Sequence, residues 1–166
     1  MTLGELNALD ASRAGAEFLR CCGSPRWASA MAAARPFGTL SAMQEKGDAI
    51  WASLDRSDWL EAFAAHPKIG ALEAVSAVSA WSAAEQAGMD TADTSTAARL
   101  SALNADYEAR FGYIFIVCAT GKSPGEMLAL LAARMHNAPD DELQIAAAEQ
   151  RAIAGLRLAK LVDGHE

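Results

Sequence analysis

Only one stretch of this chain reads as a β-strand, Phe111-Gly112-Tyr113-Ile114-Phe115-Ile116-Val117-Cys118, and no second strand is evident to pair with it. A lone strand leaves its backbone N–H and C=O groups unpaired, so a sheet cannot organise the fold. The run is therefore expected as a buried helical turn or as an extended segment lining a pocket, where its N–H groups can bind a ligand carbonyl. Helices must supply the rest. Hydrophobic residues make up 52% of the chain and alanine is abundant, whereas β-branched and aromatic types are sparse, which favours helix over sheet. With 166 residues and neither an internal repeat nor an interdomain linker, the expected fold is an all-α, single-domain bundle over residues 1–166. The start and stop signals amount to roughly eight or nine helices.

Those signals are explicit. Thr2 with Glu5 resembles a capping box, Asp10 can cap a helix to about Cys22 that Gly23 ends, and Ser24-Pro25 opens a helix to about Ala34. That helix carries Trp27 and Met31 on one face. Arg35-Pro36-Phe37-Gly38 breaks it, and Thr39 caps the next, from Leu40 to about Leu54, with Met43, Ile50 and Trp51 near the helical period. Ser57 or Asp58 is expected to cap a further helix whose inward face is Trp59, Leu60 and Phe63. The segment from Leu72 to Ala80 has only weak amphipathy, Trp81 to Ala87 reads as helix, and Thr94 or Ser95 begins a helix to about Arg110. Ser123-Pro124-Gly125-Glu126 is a second capping box, leading Met127 to Met135. After a turn from Asn137 to Asp141, a last helix runs to about Leu161.

Three places on this framework carry chemistry. In Ala65-His66-Pro67-Lys68-Ile69-Gly70, Pro67 disfavours the α region at His66, so the imidazole stands at a helix exit. Its ordinary pKa of about 6.5 suits proton exchange near neutrality, although the same position also fits a helix C-cap touching the last carbonyls. Ser82, Glu85 and Gln86 follow an i, i+3, i+4 spacing that places a hydroxyl, a carboxylate and an amide on one face, either as solvated surface or as a polar ligand site anchored by Trp81. Arg157 lies four residues from both Ile153 and Leu161, on an apolar stripe. A guanidinium there is desolvated and requires an acceptor, from a protein carboxylate or a ligand oxygen.

Charge and spacing exclude several classes. The net charge is −7 and no basic run could follow a phosphate backbone, so nucleic acid is not an expected partner. No membrane association is expected either, because no segment approaches the roughly 20 apolar residues that span a bilayer. The opening residues lack a signal-peptide pattern and the last three lack a peroxisomal one, so the expected location is cytoplasmic. Cys21, Cys22 and Cys118 form neither a disulfide framework nor a zinc-ligand spacing, and His66, His136 and His165 show no metal-binding pattern. Reduced thiols and no metal are expected.

Taken in order, the blocks CCGSPRW, RPFGTL, FAAHPKIG, SAAEQAGM, YEARFGYIFIVCATGKS, MLALLAARMHN and ELQIAAAEQRAIAGLRLAKL resemble the 2-oxo-4-hydroxy-4-carboxy-5-ureidoimidazoline (OHCU) decarboxylases of urate breakdown. The likeness extends from about residue 6 to residue 162, and the order of the His-Pro-x-Ile-Gly, Ser-x-x-Glu-Gln and Phe-Gly-x-x-Phe-Ile blocks makes it specific. It implies an all-helical, cofactor-free, usually homodimeric carboxy-lyase that converts a small ureide, OHCU, to (S)-allantoin and carbon dioxide. It further implies a site with His66, Glu85 and Arg157 as catalytic groups and Pro67, Ser82, Gln86 and the Ile116 backbone as substrate contacts. Arg134 is a second arginine that can be aligned in place of Arg157. The alternatives are a ureide-binding or helical interaction module without catalysis, and a metal-free hydrolase of a cyclic ureide with His66 as base.

Overall fold

Capping chemistry determines where the helices begin. The computed structural model describes residues 1–67 and 94–163, and among these residues the protein is all-α, without a strand. Eight helices lie in the described residues: α1 (Leu3–Ala8), α2 (Ala11–Cys21), α3 (Pro25–Ala33), α4 (Leu40–Ser53), α5 (Arg56–Ala64), α6 (Thr94–Phe111), α7 (Pro124–Arg134) and α8 (Pro139–Val162). None of them is long and apolar enough to cross a membrane. The expected helix from Trp81 to Ala87 and the weakly patterned segment before it lie outside the described residues.

Thr2, Asp10, Ser24, Thr39 and Ser123 each accept a backbone N–H of the first turn, as their sequence positions indicate. Two starts differ from expectation. The cap of α5 is Asp55, not Ser57 or Asp58, because Asp55 accepts from both Ser57 and Asp58 N–H while Asp58 reaches back to the Asp55 N–H. This two-way box satisfies more orphan donors than a cap further along could. Helix α8 begins at Pro139 rather than Asp141, since proline at a first helical position sacrifices no hydrogen bond and Asp140, Asp141 and Glu142 follow at the positive end of the helix dipole.

The chain divides into two compact units, Met1–Ala65 with Gln150–Glu166, and His66–Glu149. In the first, Phe18, Trp27, Met31, Met43 and Phe63 are buried with Leu158 of α8. Trp27 and Met31 thus share the buried face expected of them. Phe18 meets Trp27 and Phe37 edge-on, both with ring centroids 6.2 Å apart, and Trp27 Nε1 donates to the Gly47 carbonyl at 2.9 Å. Arg35 binds the last carbonyls of α1, donating to Leu6 at 2.8 Å and Leu9 at 2.6 Å, where a cation also complements the helix dipole.

In the second unit, α6 ends at Phe111 because Gly112 adopts φ +82°, a left-handed turn that glycine takes without steric cost. Residues 112–119 then run outside regular structure, which settles the question left by the sequence: the strand-like run is a buried non-helical segment. Tyr107 is the centre of its aromatic packing, with ring centroids 4.7 Å from Phe111, 6.0 Å from Tyr113 and 5.3 Å from Phe115.

All three cysteines are free, in line with the sequence expectation. Burial pushes the Cys21 and Cys22 thiols up to about 12, against a smaller opposing field from Arg157. Thiolate is the nucleophile, so both are inert at neutral pH. At pH 8 an alkylating reagent should modify half-buried Cys118 in the native protein and spare Cys21 and Cys22, with all three reacting in denaturant; mass spectrometry of the modified sites checks this. Because the folded-state values lie above the ordinary thiol value of about 8.5, the neutral thiols favour the native state below that pH. Their contribution should be lost as pH rises towards about 12.

Candidate active site

His66 follows α5 by two residues, after the Ala65 C-cap, whose N–H bonds the Ala62 carbonyl at 3.3 Å. It is half-buried and Pro67 is exposed. The backbone just before the imidazole is held by a contact from α2's end: a Cβ placed on Gly23 would overlap the Ala65 Cβ, and the Ala62 carbonyl lies 3.5 Å from it. Gly23 therefore does more than stop a helix. Its missing side chain lets the exit of α5 lie against the α2–α3 turn. Ser82, Glu85 and Gln86 lie outside the described residues.

Ile116 occupies the buried non-helical segment, at 2% exposure. Its carbonyl accepts from Arg134 Nη1 at 2.8 Å. The other side of that guanidinium is bound to Glu142 Oε1, at 2.8 Å through Nε and 2.5 Å through Nη2, and its carbon lies 4.5 Å from the Phe115 ring centre. Tyr107 donates to the same Glu142 oxygen, and Asn137 Nδ2 to the other at 2.8 Å. Burial, and then the hydrogen bond to Glu142, hold the Tyr107 phenol far above its ordinary range, so it stays a neutral donor. Two residues on, the Cys118 N–H donates to Glu149 at 2.6 Å and the Cys118 carbonyl accepts from Lys122 at 2.6 Å.

Arg157 belongs to the other unit. It is 4% exposed, as are Ile153 and Leu161 on the same stripe of α8, so the desolvated guanidinium expected from the sequence is present. Its field reaches Cys21 and Cys22. Of the two arginines that can be aligned, Arg134 is committed to Glu142 and a backbone carbonyl. Among the described residues no group of three or more His, Cys, Asp or Glu side chains could hold a metal ion.

Motif reading saw in Gly23 only a helix stop, and passed over Tyr107, Glu142 and Glu149. The one local signal was a basic residue ending α7 and acidic residues opening α8 across a short turn, an arrangement that brings opposite charges together.

Comparison with known proteins is consistent across sequence and structure. The family model described as OHCU decarboxylase matches residues 7–159. The uric acid degradation bifunctional protein TTL of Arabidopsis thaliana is 39% identical over 149 residues, covering 87% of this chain and 46% of that protein. The 2-oxo-4-hydroxy-4-carboxy-5-ureidoimidazoline decarboxylase of Mus musculus is 32% identical over 148 residues, covering 85% of this chain and 81% of that protein. A crystal structure of OHCU decarboxylase in the presence of (S)-allantoin superimposes with a TM-score of 0.78 at 37% identity, covering 88% of this chain and 96% of that one. The chain belongs to the OHCU decarboxylase family. It spans less than half the length of the Arabidopsis relative.

Two outcomes are expected. Gly23→Ala should lower the unfolding free energy by about 1–3 kcal/mol through overpacking, and adding Ala65→Gly should restore most of it, as urea denaturation would show. Glu142→Ala leaves Arg134 charged and buried with its main partner gone, and should cost about 3–5 kcal/mol in the same assay.

Proposed function

We propose that this protein decarboxylates OHCU to (S)-allantoin and carbon dioxide in urate breakdown, as a cytoplasmic homodimer whose residues 1–166 act as one OHCU decarboxylase-like domain. The single observation that carries this reading is the family match over residues 7–159, nearly the whole chain. It is supported by the likeness, at 37% identity, to an OHCU decarboxylase crystallised with (S)-allantoin.

Loss of the carboxylate leaves an electron pair on a carbon beside the ring C=N unit, and that unit accepts the charge. The substrate is its own electron sink. The protein must supply orientation, control of water and a proton on one face of the resulting enol. In this proposal His66 exchanges a proton with the 4-hydroxyl, and its half-buried place at the end of α5 suits a group that must be both fixed and reachable. Glu85 orients or polarises His66, or stands beside the carboxylate and favours its loss. Arg157 binds the ureido or ring carbonyls, since gripping the departing charge would stabilise the ground state preferentially. Pro67, Ser82, Gln86 and the Ile116 backbone fix the remainder of the ureide.

Purified protein added to freshly generated OHCU should yield one enantiomer of allantoin and carbon dioxide, against racemic product in the uncatalysed control. A binding module would give no optical signal, and a hydrolase would release no carbon dioxide. His66→Ala and Glu85→Ala should each lower the enzymatic rate by at least about 100-fold with a native circular dichroism spectrum. A folded variant that turned over near the wild-type rate would remove that residue from the mechanism.

A further inference from the structure

The buried segment after α6 is held by side chains that seize its backbone. Arg134 donates to the Ile116 carbonyl at 2.8 Å, Glu149 accepts the Cys118 N–H at 2.6 Å, and Lys122 donates to the Cys118 carbonyl at 2.6 Å. A trans peptide is planar, so a carbonyl and the N–H of the next residue point in opposite directions. Anchoring the Ile116 carbonyl on Arg134 therefore turns the Val117 N–H away from the guanidinium. Anchoring the Cys118 N–H on Glu149 likewise turns the Val117 carbonyl away from that carboxylate. Two consecutive peptide planes are thus oriented from outside the segment.

Arg134 is itself immobilised. Glu142 binds it through two nitrogens, Tyr107 and Asn137 hold Glu142, and the Phe115 ring covers the guanidinium. Among the described residues, no hydrogen bond occupies the Ile116 or the Val117 N–H, although these residues are only 2% and 6% exposed. Buried backbone donors nearly always have an acceptor. The Val117 N–H lies in the peptide plane that Arg134 anchors, and a ligand carbonyl is a fitting partner for it.

We infer that Arg134 and Glu149 are positioning residues for substrate binding: they fix the peptide planes on either side of Val117, and with them its backbone conformation, so that the Val117 N–H meets a ureide carbonyl in a preset geometry. This inference rests on the proposed ureide substrate. Presetting lowers the ordering cost of binding. Contacts of this kind act alike on bound substrate and transition state, so their loss appears in KM and not in kcat.

The test compares wild type with Glu149→Ala, Glu149→Gln and Arg134→Lys on fresh OHCU, following (S)-allantoin by optical activity. Amide NMR follows the Val117 resonance during titration with (S)-allantoin. Glu149→Ala should raise KM about 10-fold, the loss of roughly 1.4 kcal/mol of binding, with kcat within about twofold and a weakened response of the Val117 amide. Glu149→Gln keeps an oxygen acceptor for the Cys118 N–H and should restore wild-type KM. Should Glu149→Ala fail to fold, Arg134→Lys carries the same expectation, since an ammonium cannot hold Glu142 through two nitrogens and the Ile116 carbonyl together. Unchanged KM and unchanged amide response in the folded variants overturn the inference and leave the decarboxylase reading intact. An equal rise in KM in Glu149→Gln also overturns it, since charge would then matter and not the hydrogen bond. Racemic product at the control rate from wild type overturns the decarboxylase reading itself.

Discussion

The ion pair of Arg134 and Glu142 carries a task that a sheet would perform in another protein. A buried, non-helical stretch of backbone has polar groups that must be matched, and this protein matches them with Lys122 from the turn before α7, Arg134 from the end of α7 and Glu149 from α8. A buried ion pair on its own is weak evidence of stabilisation, because the desolvation of two charges can exceed their attraction. Here the guanidinium uses three nitrogens on two partners and the carboxylate accepts from three residues, so few of their hydrogen-bonding sites are wasted. The pair makes the segment's course after Gly112 specific. Tyr107 of α6 packs against the segment's Tyr113 and Phe115 rings, and Phe115 in turn covers the Arg134 guanidinium.

How much of this was legible in the sequence depends on the range of the interaction. Capping signals act over three residues, so Thr2, Asp10, Ser24, Thr39 and Ser123 could be read directly. Asp55 was passed over for a related reason: Ser57 and Asp58 are also good caps, and only the reciprocal bond between Asp55 and Asp58 decides among them. The buried stripe bearing Arg157 was readable from its spacing to Ile153 and Leu161. Gly23 was not, because its role is set by Ala65, forty-two positions away, and no local pattern encodes an approach between backbones. Tyr107 and Glu149 were hidden for the same reason.

For the candidate site, the family likeness supplied what spacing could not. Local patterns isolated His66, the Ser82, Glu85 and Gln86 trio, and Arg157, but each had an ordinary structural reading. The two arginines illustrate the limit. Both lie on Ala-rich helices, so Arg134 could be aligned in place of Arg157, and spacing cannot show that Arg134 is bound to Glu142 and to the Ile116 carbonyl. The lone strand-like run shows the converse. Its isolation was evident at once, and that excluded a sheet before any helix had been located.

The burial of the Arg134–Glu142 pair has a consequence for how this chain meets its medium. Mobile ions screen charges that they can approach, over about 10 Å at 0.1 M ionic strength, and spare those sealed from solvent. With Arg134 and Glu142 at 7% and 0% exposure, counter-ions reach the surface surplus that makes the net charge −7 but not the grip on the Ile116 carbonyl. Dilute buffer and concentrated brine therefore present a different outer face while leaving that inner attachment alike.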